Sequence, residues 1–112
     1  MDFTIHPPVE ARAWLRENLA GGAFACNRFH TTENALRFVD ALYAEGASEV
    51  LIDDPGVDSD GQPYADTMLV RFSDPATGHD LERFCEREGP DREIPDDFTL
   101  DHYEKELRLW WD

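Results

Sequence analysis

A chain of 112 residues has room for one domain with a single core. Hydrophobic residues at 41% and aromatics at 12% are too many for a disordered chain, and apolar runs as short as Met68-Leu69-Val70 exclude a spanning helix. With 25 acidic residues against 10 basic ones, the net charge of −15 opposes direct binding to nucleic acid or an anionic membrane and favours cations or basic proteins.

The first eight residues, Met1 to Pro8, carry neither a basic nor an apolar signal segment, so a cytoplasmic protein is expected. Pro7-Pro8 opens a helical pattern over residues 8–20, with Ala11, Trp14, Leu15 and Leu19 on one face and Gly21-Gly22 as the stop. Residues 23–30 form the first strand candidate. Its alternation is imperfect and leaves the inward parity open. Thr31 or Thr32 caps the next helix, whose stripe is Leu36, Val39, Leu42 and Tyr43 and whose C′ residue is Gly46. Ser48 to Asp53 reads as a strand with Val50 and Ile52 on one face, and a polar, turn-rich loop follows from Asp54 to Tyr64. A strand over Asp66 to Phe72 places Met68, Val70 and Phe72 on one face and Thr67, Leu69 and Arg71 on the other. Asp74-Pro75 then introduces a helix over 76–88, with Leu81, Phe84 and Cys85 inward and Gly89-Pro90 ending it. A helical turn near Leu100 to Tyr103 and a terminal strand from Glu106, with Leu107, Leu109 and Trp111 alternating, complete the reading.

The resulting order is an α+β domain over residues 1–112: a ferredoxin-like βαββαβ antiparallel four-stranded sheet with an extra N-terminal helix. Both main helices would lie on one face of the sheet, which leaves the other face open unless the N-terminal helix, residues 8–20, covers it. This fold hosts too many activities to imply one.

Three sites stand out. On the open sheet face, Arg71, Arg108 and Trp110 come together, joined by Arg28 and His30 if the first strand keeps the same register; such a set can grip a phosphate, carboxylate or acidic peptide. The competing account is that these arginines pair with neighbouring carboxylates. In the 53–66 loop, Asp58-Ser59-Asp60-Gly61 matches part of a calcium loop. Gly56 stands where the first aspartate belongs and Thr67 where the bidentate glutamate belongs, so no metal site is assigned. The C-terminal strip sets Asp96, Asp97, Asp101 and Glu104 among Phe98, Tyr103 and Trp110, the pattern of aromatic anchors within a charged rim. Trp110 and Trp111 must face opposite sides of a strand.

No catalytic set emerges. His6, His30, His79 and His102 lack zinc-ligand spacing, Cys26 and Cys85 have no CxxC partner and read as small thiols rather than a bridge, and none of Ser48, Ser59 and Ser73 sits in a nucleophile elbow. Cys26 with His30 or His102 lacks the electropositive surroundings that activate a thiol. No cofactor is called for. The expectation is a non-enzymatic acidic interaction protein that binds, and in the simplest case inhibits, a basic protein partner. The alternatives are a sensor or enzyme for small anions on the open face and a divalent-cation module on the Asp-rich loop. A bare sheet face also suits a homodimer through Leu69 and Trp110. Acidity of this degree is explained equally well by life in a salty cytoplasm.

Overall fold

Alternating side chains on four chain segments generate the sheet around which everything else packs. In the computed structural model, which describes residues 7–87 and 93–112, these are β2 (Glu49–Ile52), β5 (Thr67–Arg71), β6 (Asp97–Asp101) and β7 (Glu106–Trp110), with a two-residue strand β1 (Val9–Glu10) beside them. The order across the sheet is β1-β2-β5-β7-β6, and every neighbouring pair is antiparallel. A separate small hairpin, β3 (Gly56–Val57) with β4 (Pro63–Tyr64), folds from the loop between β2 and β5.

Four helices among the described residues complete an α+β architecture: α1 (Ala11–Glu17), α2 (Cys26–Phe29), α3 (Thr32–Ala44) and α4 (Pro75–Glu86). The two long ones form for reasons visible in their sequence. Thr31 caps α3 by accepting from Asn34 N–H, and Gly46, at φ +113°, closes it by donating to the Tyr43 carbonyl. Asp74 caps α4 through Thr77 N–H ahead of Pro75, which fits the first turn. Gly78 is required where α4 meets the Phe72 ring, since a Cβ there would approach it to 2.5 Å.

The core lies between the helices and one face of the sheet. Val50 and Ile52 of β2, Met68 and Val70 of β5, and Leu107 and Leu109 of β7 face Ala35, Phe38, Val39 and Leu42 of α3 and Leu81, Phe84 and Cys85 of α4 in one buried cluster. Trp111 is its centrepiece, fully buried and edge-on to Phe24, Phe29 and Phe38 at centroid distances of 5.4, 5.3 and 5.6 Å. Its indole N–H is satisfied by the Glu93 carbonyl at 3.0 Å.

The four-stranded ferredoxin-like order is not the arrangement observed. The expected first strand, 23–30, makes only a single parallel bridge, Phe24 to Ala65, and then turns into the short helix α2. Ala25 and His30 flank α2 at positive φ (39° and 67°), a conformation no strand continues through. The N-terminal helix is shorter than expected and begins after β1. It does not cover the second sheet face either: Ala11 and Leu15 join the same buried cluster as α3, while Leu19 is exposed. The helical turn expected at 100–103 is instead strand β6 followed by a tight turn at 102–105. Gly89-Pro90, the expected end of α4, lies outside the described residues.

Candidate docking surface

Two surfaces carry the residues singled out by sequence: the open face of the sheet and the β6–β7 hairpin. The β5–β7 register sets Leu69 opposite Arg108 and Arg71 opposite Glu106, and the β2–β5 register sets Glu49 opposite Arg71. Because Leu107, Leu109 and Trp111 are buried, Arg108 and Trp110 do share the open face with Arg71. Each arginine there is already matched. Arg71 lies 3.0 Å from Glu49 and 3.2 Å from Glu106, and Arg108 lies 2.8 Å from Asp53. The hydrogen bond to Glu106, reinforced by Glu49, holds the Arg71 guanidinium charge more firmly than usual. Leu51 and Leu69 lie between these pairs and are nearly covered.

Arg28 and His30 do not join that face. They belong to α2 and its C-cap, where Arg28 donates to the Ile94 carbonyl at 3.3 Å and to Asp96 at 2.9 Å, and His30 is exposed. The predicted anion grip therefore separates into two places, and in each the arginines pair with carboxylates of this chain.

The hairpin is different. β6 is the outermost strand, with Asp97, Thr99 and Asp101 outward and Phe98 and Leu100 half-buried against the core. At the turn, Asp101 accepts from Tyr103 and Glu104 N–H at 3.0 Å each, and Lys105 adopts φ 54° to close it. That geometry lifts Tyr103 clear of the protein, 92% exposed, with Trp110 38% exposed at the base of the hairpin. Asp97, Asp101 and Glu104 make no ion pair with any described residue. Of the docking residues expected from sequence, Asp97, Asp101, Tyr103, Glu104 and Trp110 are thus exposed along this element. Phe98 instead packs inward, and Asp96 is engaged by Arg28 and by the Asp112 N–H at 2.6 Å.

Features absent from the sequence reading include a network that closes the opposite side of the sheet. Glu10 accepts from Arg12 and Ala13 N–H, and the Tyr43 hydroxyl donates to it at 2.9 Å while accepting from Val50 N–H at 3.0 Å. Burial pushes the Glu10 carboxyl up, but these three donated bonds and the Arg12 charge outweigh it and hold the group below the usual carboxylate range. For the Tyr43 hydroxyl, burial and the bond to Glu10 push the titration upward. Arg12 stacks over the Tyr43 ring at 4.1 Å and pairs with Asp40 at 2.7 Å. The pairing of His79 with His102, rings 5.4 Å apart, likewise depends on bringing α4 to the hairpin turn, which no local pattern reveals.

In the Asp-rich loop, Asp58 accepts from Asp60 and Gln62 N–H, Asp66 accepts from the Thr67 hydroxyl, and Asp53 pairs with Arg108. No group of three His, Cys, Asp or Glu side chains is gathered for a metal among the described residues. A cleft of about 390 Å³ beside this loop is lined by Glu17, Asn18, Gly22, Cys26, Asp58 and Gln62 among others. Cys85 is buried and Cys26 is half-buried at that cleft, and the two are not bridged to each other. Among the described residues no helix is long and apolar enough to cross a membrane. Comparison with known proteins adds no relative: no family model, curated protein or solved structure matches the chain.

Proposed function

We propose that this protein is a non-enzymatic acidic interaction protein that docks on a basic surface of a partner protein and thereby masks it. The observation that carries this reading is Tyr103, 92% exposed at the tip of a hairpin whose Asp97, Asp101 and Glu104 have no basic partner among the described residues. An exposed aromatic within a carboxylate rim supplies an anchor and a field together: the ring buries area on contact, and the charge speeds and orients the encounter. The net charge of −15 extends that field over the molecule. An anion reaching Arg71 or Arg108 would first have to displace Glu49, Glu106 or Asp53, which weighs against the anion-sensor reading.

The test is affinity capture from lysate of the source organism at moderate salt, run in parallel with an Asp97→Lys/Glu104→Lys variant. Both side chains are exposed and unpaired among the described residues, so the exchange spares the fold, whereas Asp96 and Asp101 brace local structure and are poor choices. A basic protein held by the native chain and lost by the variant is the expected result. Equal recovery on both, or no basic protein on either, overturns the proposal.

A further inference from the structure

The two margins of the sheet are finished differently. At one, β1 is two residues long, and the Val50 N–H that it leaves uncovered is taken by the Tyr43 hydroxyl. At the other, β6 runs for five residues with no strand beyond it among the described residues. Trp111 N–H donates to Asp66 and Phe72 N–H to Lys105, so the odd-numbered residues of β7 face β5 and its even-numbered residues face β6. Asp97, Thr99 and Asp101 are therefore the residues whose backbone pairs with β7, and the N–H and C=O groups of Phe98 and Leu100 point outward.

We infer that this outer margin of β6 accepts an extended basic segment of the partner as a sixth strand. The inference deepens, and rests on, the reading of the protein as a binder of basic proteins. Main-chain hydrogen bonds to Phe98 and Leu100 supply the attachment, and side chains on alternate positions supply the selection. On the open face an added strand meets Asp97 and Asp101 with Thr99 between them; on the other face it extends the apolar layer of Phe98 and Leu100. The segment that fits has a basic residue, an apolar one, any residue, an apolar one and a second basic one. Opposite charges directly across a strand pair favour that register, and an acidic segment is repelled. The same carboxylates keep a second copy of this chain from pairing there edge to edge.

The probe is the capped peptide Ser-Lys-Val-Thr-Val-Lys-Ser, titrated into the 15N-labelled full chain. Two controls accompany it: a rearranged peptide with its lysines adjacent, and one with alternate backbone amides methylated. The expected result is a shift of the Phe98 and Leu100 amides with slowed exchange, and binding about tenfold weaker for each control and for Asp97→Lys/Thr99→Lys. Perturbation of Tyr103 and Trp110 with Phe98 and Leu100 unmoved, or equal binding of the rearranged peptide, overturns strand addition while leaving basic-partner recognition standing. Loss of all binding by every basic peptide, with no basic protein captured from lysate, overturns both. Phe98 and Leu100 amides already protected in the free monomer, or a dimer in sedimentation that protects them, show the margin to be occupied by this chain itself and also overturn the inference.

Discussion

At the β1 margin of the sheet, polar groups are consumed; at the β6 margin they are left available. Around β1, Glu10, Tyr43, Arg12 and Asp40 form a connected set in which an ion pair, a stacked cation and four hydrogen bonds satisfy one another and the Val50 amide. Along β6 and its turn, Asp97 and Glu104 face solvent with no ion-pair partner among the described residues. The difference separates carboxylates that hold the fold from carboxylates free to meet something else, although all look alike in the sequence.

Trp111 supports the β6 margin from beneath, because its indole holds the Glu93 carbonyl just ahead of that strand and its ring fills the core. Trp111→Ala should cost about 3–5 kcal/mol, measured by urea denaturation. A loss below about 1 kcal/mol would show that the three phenylalanines do not depend on it. At the closed margin, Tyr43→Phe removes one hydroxyl, strands the Val50 N–H and takes one of two donors from Glu10 Oε2, which keeps the Arg12 N–H. About 1–3 kcal/mol of destabilisation is expected from the same measurement. If the variant unfolds at the native midpoint, the network does not finish that edge.

Glu10 sharpens the comparison through pH. Its folded-state carboxyl titrates lower than in the unfolded chain, so its contribution is fully present above the ordinary value of about 4.5. That contribution is lost as pH falls from there through the lower folded value. Glu10→Gln should therefore narrow the stability difference between neutral and acid solution, seen as a flatter dependence of the denaturation midpoint on pH below about 5. An unchanged profile would contradict the assignment. The smallest effect belongs to the open margin: Asp97→Lys/Thr99→Lys should alter stability by no more than about 0.5 kcal/mol. A larger loss would mean that these exposed positions brace the fold after all.

These contrasts also show what local pattern conveys. Helices α3 and α4 were legible because the caps Thr31 and Asp74 and an apolar stripe at helical spacing agree. The inward sets of β2, β5 and β7 followed from alternation alone, and with them the shared face of Arg71, Arg108 and Trp110. Strand β6 was missed because Leu100, Tyr103 and Leu107 mimic a helical repeat, although Asp97-Phe98-Thr99-Leu100-Asp101 alternates cleanly. Residues 23–30 were misread because their conformation is imposed from outside. The Thr32 hydroxyl ties Gly21 to Ala23, Ala65 brackets Ala23 and Ala25, and Asn34 holds the Phe29 carbonyl. The arginines' partners were hidden for a related reason: Arg28 and Asp96 are 68 residues apart, and Arg108 and Asp53 are 55 apart.

The central claim is that the hairpin's unpaired carboxylates direct docking on a basic protein. The measurement that tests it most directly is the association rate of the captured partner as a function of ionic strength, for the native chain and for Asp97→Lys/Glu104→Lys. The account predicts a rate that falls steeply with salt for the native chain, and a slower, flatter one for the variant. Equal rates and equal salt dependence would contradict it.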